Sequence, residues 1–413
     1  MKNVLAIATV LSPLFSFHKG INKHYLELPL DSERAAHRLP IMRFLWVLLL
    51  LTITDGERIV ESDTRIFSCL LDCPPSFKTI NKIECKFYLR NNGKQDYSVL
   101  KWRTPLDGLR SNCLAVDTNG KKLQYDGIYT KRSAPGPDQY LLVKPGQTVS
   151  STFDVSDAYD MTKAGLYSMA VDTYLEYVMG SVIKKPVIQS NIVHLTSSSV
   201  SYEIVDGSFM KRTLGQRARS LERSNEIHEE SLTREGLDVE FDRRGEESNE
   251  IKYSIQGGSK ALRDETEVAI LAANTKIKSA IQDIENNPQR AKIWFGKTAI
   301  DAKNVFVDMK RKLARKEMIY IFNGKKCEKD MFAYTYLGSR KIFFCKAFNK
   351  AETLVGFDTK AGIIIHELSH ALTYTDDKTY GQDSCKKLAK KNSKKAVKNA
   401  DNYEYYVESA PNL

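Results

Sequence analysis

The stretch "IIIHELSHALTYTDDKTYG", Ile363 to Gly381, decides how this chain is read. Three isoleucines lead into His366-Glu367-x-x-His370, so the segment predicts a buried helix starting near Lys360. On a helix, positions i and i+4 share a face, which lets His366 and His370 present imidazole nitrogens to one point with Glu367 beside it. Neutral imidazoles suit zinc. A carboxylate next to an open metal position can take a proton from water, which makes Glu367 the candidate general base for hydrolysis of a peptide bond. No histidine follows His370, so the third metal ligand has to be sought among carboxylates. Asp376 and Asp377 stand just past the helix; Glu404 and Glu408 stand further on.

Length and composition frame that helix. At 413 residues with 42% apolar side chains the chain can build two domains, each with a core. The net charge of +11 is spread along the chain with no nucleic-acid-binding fingerprint, and no nucleic-acid partner is expected. Residues 1–56 form a signal region with two export-like stretches. "MRFLWVLLLLTITDG", Met42 to Gly56, is the better one, with Met42 as a candidate true start. Its apolar core falls short of the roughly 20 residues that span a bilayer. A secreted protein without stable membrane association after signal removal follows. Seven cysteines fit export with a few disulfides; Cys327 is expected to pair with Cys345, with Cys385 as the odd one left over.

Between residues 57 and 206, short runs rich in Val, Ile, Tyr and Thr alternate with turns such as Asn-Asn-Gly and Lys-Pro-Gly. That pattern predicts an all-β, immunoglobulin-like sandwich. Residues 207–261 are polar and charged, an expected linker in which Lys211-Arg212 and Arg243-Arg244 are open to activating cleavage. From 262 to 413 the pattern is mostly helical with a small sheet, an α+β domain. Helices are expected over Asp264–Asn287 and Thr298–Arg315, and strands at Glu317–Phe322, "MFAYTYLG" and "KIFFCKAF". The lysine-rich run from Lys386 to Asn399 predicts a helix with a solvated face, burying Leu388, Ala389, Ala396 and Val397.

In order, "IWFG" (Ile293–Gly296), "FAYTYLGSRKIFFCKAF" (Phe332–Phe348), "HELSH", "DKTYGQ" (Asp377–Gln382) and "KNADNYEYY" (Lys398–Tyr406) resemble the aspzincin endopeptidases, the deuterolysin and peptidyl-lysine metallopeptidase group. "KWRTPLDGL", "YDGIYTKR" and "AGLYSM" resemble the N-terminal domain of its longer members. The resemblance implies a zincin-like catalytic domain with one zinc ion held by His366, His370 and Asp377, and an oxyanion-stabilising hydroxyl from Tyr380. Asp401 and Glu404 would line a pocket for a lysine on the carboxyl side of the cut bond. Protein or peptide substrates, and the N-terminal domain as an intramolecular inhibitor of a proenzyme, are implied as well. Family members carry Gly-Thr before this aspartate element, where this chain has Tyr374-Thr375-Asp376, and Asp376 is the alternative ligand. The readings set against this one are a catalytically inactive secreted binding protein and a thermolysin-like protease using Glu404 or Glu408 as ligand.

Overall fold

A computed structural model describes residues 66–78, 82–182, 190–205 and 251–410, which fall in one compact unit. The signal region and residues 207–250 of the expected linker, with Lys211-Arg212 and Arg243-Arg244, lie outside the described residues.

Period-two alternation builds the N-terminal region. In β3 (Glu84–Asn91) the side chains of Cys85, Phe87, Leu89 and Asn91 turn inward while their neighbours face out. In chain order the strands of this region are β1 (Phe67–Asp72), β2 (Ser76–Phe77), β3, β4 (Tyr97–Leu100), β5 (Leu114–Thr118) and β6 (Lys121–Lys122). β7 (Tyr129–Arg132), β8 (Tyr140–Val143), β9 (Thr148–Asp154), β10 (Gly165–Met179), β11 (Asn191–Thr196) and β12 (Val200–Ile204) follow. β1, β3 and β9 form an antiparallel sheet. A second sheet grows around the long β10, which pairs with β4, β5, β11 and β12. Phe87, Leu89, Val116, Tyr159, Met169 and Val171 belong to one shared apolar core.

The C-terminal region combines helices and strands. It begins earlier than expected, with β13 (Tyr253–Gln256), which runs parallel to β14 (Met318–Phe322). The first helix, α1 (Lys260–Asn286), starts at a Ser259 cap whose hydroxyl accepts from Leu262 N. Four strand residues followed by Gly257-Gly258-Ser259 carry linker composition, so only the pairing with β14 reveals them as part of this region. α2 (Pro288–Phe295) is a helix beyond those expected, while α3 (Ala299–Arg315), β14, β15 (Met331–Thr335), β16 (Lys341–Phe344) and α4 (Lys360–Thr373) occupy the expected segments. The lysine-rich run divides at Asn392 into α5 (Gln382–Lys391) and α6 (Ser393–Val397), and α7 (Ala400–Glu408) closes the region. Ala389, Ala396 and Val397 are buried as expected, while Leu388 is half-buried.

One pairing crosses between the regions. The five-stranded sheet has the order β13-β14-β16-β15-β7, so β7 leaves the β-rich region and completes the sheet of the helical one. It lies antiparallel to β15, with Tyr129 opposite Thr335, Thr130 opposite Tyr334 and Lys131 opposite Ala333.

Cys327 pairs with Cys345 as expected, and Cys73 pairs with Cys85. Cys69, Cys113 and Cys385 are free, so two disulfides replace the expected three. Cys69 on β1 and Cys113 next to β5 sit on different sheets, and Cys113 is buried. Among the described residues no helix is long and apolar enough to cross a membrane.

Phe306 of α3 is fully buried, with its ring centroid 5.1 Å from that of Tyr403 on α7. Phe306→Ala is expected to cost about 3–5 kcal/mol through lost burial and the cavity left behind. A urea-unfolding midpoint followed by tryptophan fluorescence reads it, since Trp294 belongs to the same core.

Candidate metal centre and substrate cleft

α4 carries the centre of the site. It is buried from Lys360 to Leu372, because its apolar residues pack against α1, α3 and α7. Tyr374 ends the helix with φ of 59°, the left-handed conformation that glycine adopts without a Cβ penalty. That reversal brings Thr375 back against the helix, with its carbonyl oxygen 2.9 Å from His370 Nδ1. The next residues then run past the two histidines.

Asp377, not Asp376, faces them. Asp377 Oδ1 lies 3.2 Å from both His366 Nε2 and His370 Nε2, and the two Nε2 atoms are 3.1 Å apart. Asp376 turns its carboxylate to Asp377 N and to the Lys378 ammonium. Glu404 Oε2 approaches His366 from the far side, 3.2 Å from Nδ1. Glu408 is elsewhere, accepting hydrogen bonds from the backbone N–H groups of Asp358 and Thr359 ahead of α4.

The donor set fits a tetrahedral metal ion. Metal–ligand bonds of about 2.05 Å at tetrahedral angles give edges of about 3.3 Å, close to the triangle found. Tautomers point the same way. His370 Nδ1 sits on a carbonyl and His366 Nδ1 lies 2.8 Å from Asp401 Oδ1, so each proton belongs on the outer nitrogen and each Nε2 lone pair faces the centre. The His366 contact is an ion-pair distance rather than an aligned hydrogen bond. Two lone pairs and a carboxylate oxygen converging in a buried space call for a cation. Burial opposes charge on Asp377, and where no cation is bound it is protonated His370 and His366 rings that hold its carboxyl far below the ordinary range.

Glu367 follows the opposite balance. Burial, with Asp377 adding repulsion, pushes its carboxyl up to about 7 against the opposing pull of His366 and His370. Oε1 accepts from Lys131 N at 3.0 Å, and Oε2 is buried without a hydrogen-bond partner among the described residues. A carboxyl poised near neutrality suits a group that must both take and return a proton.

β7 lies along this cleft, in contacts that nothing in the local sequence announced. Thr130 N donates to Asp377 Oδ2 at 3.0 Å, and Tyr380 Oη donates to the Thr130 carbonyl oxygen at 3.0 Å. Burial, and then Asp377, push the Tyr380 phenol well above its ordinary value, so the hydroxyl keeps the proton it donates. The Tyr129 ring rests 4.8 Å from that of His370, centroid to centroid.

The side chain of Lys131 enters a pocket of carboxylates. Its ammonium lies 2.8 Å from Glu404 Oε2, 3.1 Å from Asp401 Oδ1 and 2.8 Å from Asp358 Oδ1, with the Tyr405 hydroxyl at 3.2 Å. Burial works to remove its proton, but Asp401 and Glu404 outweigh it and hold the ammonium well above the usual lysine range. For the pair itself burial raises both carboxyls; Lys131 wins at Asp401, which is lowered, whereas Glu404 ends raised. Sequence reasoning named Asp401 and Glu404 and missed Asp358 and Tyr405. Asp358 falls in a loop of turn-like composition just ahead of α4, and only the fold brings it here.

Comparison with known proteins points to a protease family. Residues 280–408 match the family described as lysine-specific metallo-endopeptidase, the aspzincins. An extracellular protease of Aeromonas hydrophila is 29% identical over 333 residues, covering 78% of this chain and 87% of its own. A peptidyl-Lys metalloendopeptidase of Armillaria mellea is 27% identical over 301 residues, covering 71% and 74%. Both alignments are longer than the helical region by itself, so the likeness extends into the β-rich region. The solved structure of a zinc peptidase from Grifola frondosa, 29% identical, covers 38% of this chain and 99% of its own, with a TM-score of 0.34. The match over residues 280–408 and the protease-named relatives support an aspzincin metalloendopeptidase. The chain is thus an enzyme rather than an inactive binding protein, and the His-Glu-x-x-His string does not by itself mark the family.

Asp377→Ala is expected to abolish stoichiometric metal retention, while Asp376→Ala and Glu408→Ala keep it. Elemental analysis of the gel-filtered full chain reads the three together.

Proposed function

We propose that this chain is a secreted zinc endopeptidase, made as a latent precursor, that cuts on the amino side of lysine. The carrying observation is β7 itself, which lies in the cleft as a substrate would. Its Thr130 carbonyl oxygen meets Tyr380, its Lys131 N meets Glu367, and its Lys131 ammonium fills the acidic pocket. A single zinc ion held by His366, His370 and Asp377 would polarise the scissile carbonyl and make water more acidic.

The protein's own groups do the rest. Glu367 takes the proton of the attacking water and returns it to the leaving amine, whose position Lys131 N marks 3.0 Å away. Tyr380 donates to the carbonyl oxygen as it gains negative charge. Asp401 and Glu404 select an ammonium by charge, and their burial penalises a neutral side chain that would leave them unpaired.

The β-rich region serves as the prodomain. Its two sheets, antiparallel except for the short β2–β12 pair, around one core support an immunoglobulin-like sandwich. β7 acts as an inhibitor rather than a passing substrate because both of its ends are continuous with that region. Were the bond cut, its two halves would stay side by side, held by β15, the acidic pocket and Arg132. The charged stretch between residues 207 and 250 offers cleavage points for release. Secretion is supported by the export-like sequence Met42–Gly56, the two disulfides and the likeness to an extracellular protease.

The test is digestion of an unfolded, lysine-containing protein by the full chain after limited proteolysis, with the new N-termini sequenced. Fragments should begin with lysine, and a chelator should abolish the activity. Glu367→Gln should lower kcat by about 10²–10⁴-fold, the usual worth of a general acid–base group. Fragments with no lysine at the new N-terminus contradict the assignment of the pocket.

A further inference from the structure

The residue after Lys131 is also held by an acidic group of the catalytic region. Arg132 Nη1 lies 3.1 Å from Asp330 Oδ2, and its side chain is only 2% exposed. Asp330 immediately precedes β15, the strand on which β7 lies, and its carbonyl oxygen accepts from Ser133 N at 2.9 Å. The other partners of Arg132 come from the β-rich region. Asp107 Oδ2 is 2.6 Å from Nη2, and the guanidinium carbon stands 4.8 Å from the Trp102 ring centroid. Glu328, two residues before Asp330, likewise faces an arginine, with Oε1 2.7 Å from Arg110 Nη1. Beyond the lysine pocket the catalytic side therefore sets the carboxylates of Asp330 and Glu328 against arginines, in a loop that also carries Lys325, Lys326 and Lys329.

We infer that Asp330 is a second specificity residue of the enzyme, reading a basic side chain one position after the lysine, so that the preferred substrates carry Lys-Arg following the cut bond. The inference rests on the proposed function, because it takes β7 as a template for the substrate. Once the β-rich region is displaced, Asp107 and Trp102 leave with it. Asp330 remains with the catalytic region, next to where an added substrate strand would pair with β15. A carboxylate there gains a charge-assisted contact from arginine and none from alanine. The order aromatic-x-Lys-Arg found in the cleft as Tyr129-Thr130-Lys131-Arg132 recurs in this chain as Phe209-Met210-Lys211-Arg212, which supplies an independent probe peptide.

The experiment measures kcat/KM for paired peptides with the full chain, activated by limited proteolysis until it digests unfolded protein ahead of lysine and then freed of the activating protease. One pair contains Tyr-Thr-Lys-Arg and Tyr-Thr-Lys-Ala; the other contains Phe-Met-Lys-Arg and Phe-Met-Lys-Ala. The arginine member of each pair should be preferred by about tenfold, the scale of one well-placed polar contact. Asp330→Asn should bring that ratio towards one, and Asp330→Lys should reverse it for a peptide with glutamate in place of arginine. Equal rates for both members with wild-type enzyme overturn the inference while leaving the lysine pocket standing, and that result needs no variant to fold. A preparation that never cuts ahead of lysine sinks the proposed function and this inference with it.

Discussion

A lysine ammonium buried to 1% exposure beside two fully buried carboxylates is the constraint on which the rest of this structure turns. Neither partner is stable in that setting alone. Asp401 and Glu404 without a cation would be two like charges out of water, and Lys131 without them would lose its proton to desolvation. Each makes the other tolerable. The pocket therefore demands an ammonium, and in this chain β7 provides one. Asp401 also accepts from Gly381 N at 2.8 Å and lies 2.8 Å from His366 Nδ1. One carboxylate thus joins the lysine pocket, the loop after Asp377 and the outer side of a histidine in the candidate metal triad.

The backbone of β7 solves a second problem. Without β7, β15 would be an edge of its sheet, and an open edge presents unpaired N–H and C=O groups to any extended segment. In this chain β7 covers it; in the proposed active enzyme, a substrate would take the same place. Strand pairing supplies position without regard to sequence, while the pockets for Lys131 and Arg132 supply selection. The same geometry would account for the proposed latency and for the proposed recognition, with no separate inhibitory device.

Much of this is legible in the residues, because much of it is local. The spacing of His366 and His370 places them on one face of any helix that carries both. The Asp377-x-x-Tyr380-Gly381 element lies close enough to α4 that sequence order brings it into play. Helical periodicity marks α3 and α4 because their apolar faces are long and regular. The short β13 gives no such signal, since four residues carry no period and its role lies wholly in pairing with β14. β7 is the more consequential case. Tyr129-Thr130-Lys131-Arg132 has the composition of any short strand, and the residues that give it meaning, Glu367 and Asp401 among them, stand more than two hundred positions away. Likewise, Asp330 and Asp358 show no sign of function until the fold brings a basic side chain to them.

The central claim is that Lys131 closes the cleft by filling the pocket meant for the substrate lysine. The most direct measurement compares wild type with Lys131→Ala, both verified as uncut full-length chains by mass, in the initial rate of hydrolysis of an unfolded lysine-containing protein. The account predicts that wild type is latent and that the variant is at least about tenfold faster while still intact, since the cleft is freed in proportion to the loss of its occupant. Equal rates from the two uncut, metal-loaded chains would contradict it.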